Sequence, residues 1–122
     1  MTVLKEKCFN YHYHQDILCI VYYDYTVIDL ETAKYVLQAR LEIQEEEEIL
    51  LLADCRPVKY VTQKARRFLA KEGNRGLKKL AVLTTNNLQR YLANLYISLS
   101  SEPIPTKLFK EEKEAIEWLL EK

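Results

Sequence analysis

Two uninterrupted apolar runs, Ile49-Leu50-Leu51-Leu52-Ala53 and Leu80-Ala81-Val82-Leu83, constrain this 122-residue chain more than any other feature. A strand with one wet face alternates apolar and polar residues, whereas a continuous run belongs to a strand covered on both faces. Helically spaced segments follow each run: Ala65, Phe68 and Leu69 after the first, then Leu88, Tyr91, Leu92, Leu95 and Leu99 after the second. A strand, a helix and a second parallel strand form a crossover unit. The two runs are therefore expected inside a parallel sheet with helices on its faces.

The flanking segments extend this order. Residues 3 to 13 alternate, with Val3, Phe9, Tyr11 and Tyr13 on one parity and Glu6, Cys8, Asn10, His12 and His14 on the other, which predicts a half-exposed strand. Gln15-Asp16 supplies a turn, and Ile17 to Tyr23 a second strand, so the opening reads as a hairpin. Asp29 can cap a helix running to Gln44, and Thr62 one running through Lys71 and closing at Gly73 to Gly76. Asn86 or Asn87 caps a third helix. Thr106 to Phe109 is a short strand after Pro103 and Pro105, and Glu111 to Leu120 a last amphipathic helix. The resulting fold class is α/β, a mixed and mostly parallel sheet with about four helices in the order β-β-α-β-α-β-α-β-α. No repeat or linker divides it, so residues 1–122 read as one domain.

Composition narrows the function classes. With 48% hydrophobic and 30% charged residues the chain is globular, and its length suffices to bury roughly two-thirds of the surface its unfolded form exposes. Its two glycines, Gly73 and Gly76, cannot build a phosphate-cradling loop, which needs several residues without Cβ. Eighteen basic residues balance eighteen acidic ones, so there is no global attraction to nucleic acid or to an anionic membrane. The apolar stretch from Ile17 to Tyr23 is far below the ~20 residues of a membrane span, and Met1-Thr-Val-Leu-Lys-Glu-Lys lacks a signal-peptide core. No membrane insertion and a cytoplasmic location are expected. Three cysteines, Cys8, Cys19 and Cys55, without a C-x-x-C pair read as reduced, mostly buried thiols.

The passage Leu52-Ala-Asp-Cys-Arg-Pro-Val-Lys-Tyr-Val-Thr62, the strand Leu80-Ala-Val-Leu and the ending PIPTKLFKEEKEAIEWL, residues 103 to 119, resemble the SpoIIAA-like branch of the STAS superfamily, the fold of the anti-sigma-factor antagonists. The resemblance implies a STAS-like domain that acts through contact with a regulatory protein. In antagonists the strand-to-helix passage carries Asp-Ser-Ser-Gly, with a phosphorylated serine. Aligned through Asp54, Val58 and Tyr60, those positions are Thr62, Gln63, Lys64 and Ala65 here, and the phosphoacceptor position falls on Lys64. Lysine cannot accept that phosphoryl group, so the resemblance does not carry the usual switch with it. Thr62 reads first as a helix cap.

No reactive constellation stands out. Cys55 follows a strand, as phosphatase nucleophiles do, yet Val61 stands where an arginine is needed and no glycine intervenes. Cys8, His12 and His14 share a strand parity, but Cys8 lies about 13 Å from His12 at ~3.3 Å per residue, too far for one metal. No metal, no cofactor and no catalytic residue is assigned, and the chain is expected not to be an enzyme. The segment from Arg56 to Lys79 holds nine cations against Glu72 alone. It reads as a solvated helix face or as a surface for an acidic or phosphate-bearing partner; nucleic acid would need aromatic platforms beside the cations, for which Tyr60 is the only ready candidate, Phe68 lying on the inward stripe.

Two sets of residues are thus singled out. Asp54, Arg56, Lys59, Thr62, Lys64, Arg66 and Arg67 are candidates for partner binding, by resemblance to where antagonists meet their kinases. Tyr35, Ala39, Ile43, Tyr91, Leu95 and Tyr96 exceed what one sheet face covers and are candidates for an apolar interface or pocket. The first function expected is protein-protein regulation by a homodimer with a regulatory protein partner. The alternative is a carrier that holds a lipid or other apolar molecule beneath the first and third helices.

Overall fold

The computed structural model describes residues 8–87, 89, 90, 94 and 103–121. Its elements are β1 (Phe9–His14), β2 (Ile17–Tyr22), β3 (Val27–Ile28), α1 (Leu30–Gln44), β4 (Ile49–Asp54), β5 (Tyr60–Val61), α2 (Gln63–Glu72), β6 (Leu77–Leu83), β7 (Thr106–Phe109) and α3 (Glu112–Leu120). Five strands form one sheet in the order β1-β2-β4-β6-β7. Only the β1–β2 hairpin pair is antiparallel; β2, β4, β6 and β7 run parallel. The mixed, mostly parallel α/β domain expected from the two apolar runs is the one observed.

Both faces of the sheet are covered, which is why its central strands do not alternate. Leu18, Ile20, Leu51 and Leu80 pack with Val36 of α1 on one face. Ile17, Cys19, Leu52, Ala81 and Leu83 pack with Ala115 and Leu119 of α3 on the other. Ile17, Leu18, Ile20 and Leu83 are fully buried, each worth about 1.5–3 kcal/mol of transfer free energy. Leu77 and Leu80 would face opposite ways in a regular strand, yet both join the α1 face. A register shift opposite Ile49 and Leu50, where Leu77 and Lys79 are the successive partners, absorbs Lys78 and reconciles them.

Capping follows the sequence closely. Asp29 accepts from the Thr32 amide at 2.8 Å and Thr62 from the Ala65 amide at 3.2 Å. Asn86 accepts from the Gln89 amide at 2.8 Å, and Asn87, Gln89, Arg90 and Asn94 are helical. The rest of that third expected helix, with Tyr91, Leu95 and Tyr96, lies outside the described residues, so three helices are bounded here.

Three features depart from the sequence reading. β1 is not half-exposed: only Phe9 is buried, and Asn10 to His14 are all exposed. It is an edge strand of the described sheet, and at its start the Tyr35 ring of α1 lies 6.5 Å from that of Phe9. β3 and β5 pair as a second, two-stranded parallel sheet through Val27–Tyr60 and Ile28–Val61. Two residues are too few to show a period. Finally, α1 buries Arg40 and Gln44 along the stripe begun by Ala33, Val36 and Leu37. The Arg40 guanidinium donates to Gln44 Oε1 at 2.6 Å, to the Arg75 carbonyl at 2.9 Å and to the Gly73 carbonyl at 3.0 Å, tying α1 to the end of α2.

Candidate binding cavity

The carboxyl ends of β4 and β6 deliver two loops to the same edge of the sheet, Cys55 to Lys59 before β5 and Thr84 to Asn86 after β6. In open parallel sheets this edge is where ligands bind, because the loops diverge there. Between the sheet, α1, α2 and the first loop lies a cavity of about 700 Å³. Its floor comes from Ile20, Leu51, Ala53, Leu80 and Val82, its α1 wall from Val36 and Leu37 and its α2 wall from Leu69. The size and apolar lining are those of a small-molecule site. Tyr25 and Tyr60 also line it and are 80% and 50% exposed, so the cavity opens at the surface beside them.

The loop that roofs the cavity is held by polar contacts at both ends. Asp54, only 6% exposed, accepts from Arg56 Nε at 2.9 Å and Nη2 at 2.8 Å, and from the Arg56 amide at 3.1 Å. The hydrogen bond to Asp54 pushes the Arg56 guanidinium further above its ordinary range, against the opposing effect of burial; Glu112 and Glu111 reinforce it. Arg56 is thus a fixed positive charge. From the other side, Gln89 donates to the carbonyls of Cys55 at 2.8 Å and Val58 at 3.4 Å while accepting from the Thr85 amide at 2.7 Å. Gln89 escaped the sequence reading. Its only sequence signal is a polar residue three positions after the Asn86 cap.

Cys55 lines the cavity, but burial first, and then the Asp54 charge, push its thiol up to about 12. In that position the thiol form predominates near neutral pH. Thr84, 1% exposed in the same wall, has a hydroxyl with no partner among the described residues. An unsatisfied buried hydroxyl costs about 1–3 kcal/mol.

The candidate residues distribute unevenly around this cavity. Arg56, Lys59 and Arg66 line it; Asp54 is buried beneath Arg56; Thr62 caps α2; Lys64 and Arg67 are exposed on α2 outside it. Tyr35, Ala39 and Ile43 do not line it. They border a separate shallow groove with Phe9, Tyr11 and Glu42, between α1 and the edge strand. Tyr91, Leu95 and Tyr96 lie outside the described residues. Cys8, His12 and His14 form no metal site: among the described residues no group of three or more His, Cys, Asp or Glu could hold an ion. No helix among them is long and apolar enough to cross a membrane.

With this geometry in place, comparison with known proteins defines the fold class first. The crystal structure of an uncharacterised protein of the DUF3478 family from Shewanella loihica PV-4, described as having a SpoIIAA-like fold, superposes with a TM-score of 0.63. The alignment covers 91% of each chain at 18% identity, and the fold of the present protein is SpoIIAA-like. The chain itself belongs to the family described as Domain of unknown function (DUF7793), whose profile matches residues 11–122. No curated protein matches it.

Proposed function

We propose that this domain is a non-catalytic binding module whose cavity takes up an apolar small molecule. The observation that carries this reading is the 700 Å³ space between the sheet and α1, floored by aliphatic side chains and reaching the surface at Tyr25 and Tyr60. A core of this size closes on itself at near-crystalline density unless something is meant to occupy the gap, because voids forfeit dispersion contacts. The test is native mass spectrometry of protein purified gently from its own host, with a fluorescent hydrocarbon probe titrated into the purified protein. A mass adduct lost on denaturation, and saturable probe binding at one site per chain, are expected. Absence of both overturns the reading.

A second reading, contact with a regulatory protein, draws support from α2. Its first turn contains no acid, and Lys64 and Arg67 stand exposed along the helix with Tyr60 close by in sequence and half exposed. Such a cationic and aromatic surface suits an acidic partner. A pull-down comparing wild type with Lys64→Glu, Arg67→Glu tests it, and unchanged recovery of every captured protein counts against it. The homodimer is part of this second proposal, and light scattering decides it.

A further inference from the structure

Charge around the cavity is one-sided. Arg40, Arg56, Lys59 and Arg66 all line it, and no aspartate or glutamate stands among its described lining residues. Two of the four cations are already engaged, Arg40 by Gln44 and the carbonyls of Gly73 and Arg75, Arg56 by Asp54. Lys59 and Arg66 differ. Neither has a carboxylate partner among the described residues, and the Arg66 guanidinium donates instead to the carbonyl of Val61. Arg66 is half buried, in the first turn of α2, where the helix dipole already disfavours positive charge. Among the described residues its compensation is the Val61 carbonyl alone, with no carboxylate beside it. An anion entering the cavity would find Arg66 and Lys59 in its lining, each able to donate a charge-assisted hydrogen bond.

We propose that the cavity's occupant is an amphiphile with one apolar tail and an anionic head, the tail lying over Ile20, Leu51 and Val82 and the head held at the mouth by Lys59 and Arg66. The proposal rests on the cavity being a ligand site and adds the chemistry of the ligand. Carboxylate and phosphate heads share the feature that matters, a negative oxygen able to accept from a guanidinium. Tyr25 and Tyr60 flank the mouth, where an aromatic body can cover the first carbons of the tail and leave the hydroxyl in water.

The experiment compares decanoate, decyl phosphate and decan-1-ol by displacement of a fluorescent hydrocarbon probe from the intact chain, in wild type and in Lys59→Gln, Arg66→Gln. Both acids are expected to bind wild type about tenfold or more tightly than the alcohol, since charge-assisted hydrogen bonds of this kind shift affinity on that scale. The double variant is expected to lose that preference while retaining alcohol binding, which also reports that its cavity is folded. Preference for only one of the acids identifies the head group. Equal affinity of wild type for alcohol and acids overturns the anionic head and leaves the apolar site standing, whereas no binding of any of the three overturns both. If the double variant unfolds, the wild-type comparison decides alone.

Discussion

Asp54 and Arg56, two residues apart where β4 ends, grip one another through two parallel side-chain hydrogen bonds of 2.8 and 2.9 Å. The carboxylate is buried and the guanidinium partly so, with 9% and 36% of their side chains exposed. Asp54 thereby turns the chain from strand to loop and fixes the cavity roof. Asp54→Ala is expected to destabilise the fold by about 1–3 kcal/mol, below the loss for a fully buried pair because Arg56 can reach water. The urea midpoint measures this. A change within the ~0.5 kcal/mol of an ordinary surface substitution contradicts a structural role for the pair.

Gly76 is held with φ +75° in the turn between α2 and β6, and its carbonyl accepts from Gln44 Nε2 at 2.8 Å. A Cβ on Gly76 would meet that same nitrogen at 2.5 Å. Gly76→Ala therefore incurs left-handed strain and displaces Gln44 from the carbonyls of Gly76 and Glu47, a combined loss expected at about 2–4 kcal/mol. Part of that loss comes from the collision alone. In a double-mutant cycle with Gln44→Ala, the two losses are expected to be less than additive; strict additivity rejects the contact.

The contrast between what the sequence disclosed and what it hid has a physical pattern. Ile49 to Ala53 and Leu80 to Leu83 reveal the parallel sheet because continuous burial leaves a compositional trace, and Asp29 and Thr62 reveal helix starts because capping demands an oxygen at one position. Arg40 and Gln44 were invisible as buried residues since, beyond the bond between their own side chains, three of their hydrogen bonds go to backbone carbonyls some thirty residues away, which leave no mark in the sequence. The cavity was hidden for a related reason. Val36, Leu51 and Val82 carry the same apolar signal whether they touch another side chain or line a space. Of the candidate residues, Lys59 and Arg66 stood out as part of a basic segment and by resemblance to an antagonist surface, whereas the absence of aspartate and glutamate from the described lining of the cavity they share exists only in three dimensions.

Two thiols are expected to make stability fall at alkaline pH. Burial first, then the Glu112 charge, push the Cys19 thiol up to about 11, and Cys55 stands at about 12. These acids hold their protons more tightly folded than unfolded, where a cysteine titrates at about 8.5. Above that value the unfolded chain binds fewer protons than the native one, so unfolding becomes easier as pH rises. The contribution is complete below pH 8.5 and is lost progressively towards pH 11 to 12. Urea unfolding between pH 8 and pH 10.5 is expected to show a shallower decline in Cys19→Ala, Cys55→Ala than in wild type. Parallel declines in the two proteins rule the thiols out as the cause.

Filling the cavity separates a binding site from a loosely drawn core. Ala53 lies in the floor, half buried, between the faces of Ile20 and Val82 on the neighbouring strands. If the space above it is open, the larger side chain of Ala53→Phe enters it and buries further apolar area, so stability should hold or rise by about 1 kcal/mol. Probe and decan-1-ol binding should disappear in the same variant. In a closed core the added ring has nowhere to go, and overpacking costs about 1–3 kcal/mol. Thermal unfolding and probe titration on one preparation therefore give opposite signatures. A destabilised variant that still binds the hydrocarbon would place the ligand somewhere other than over β2, β4 and β6.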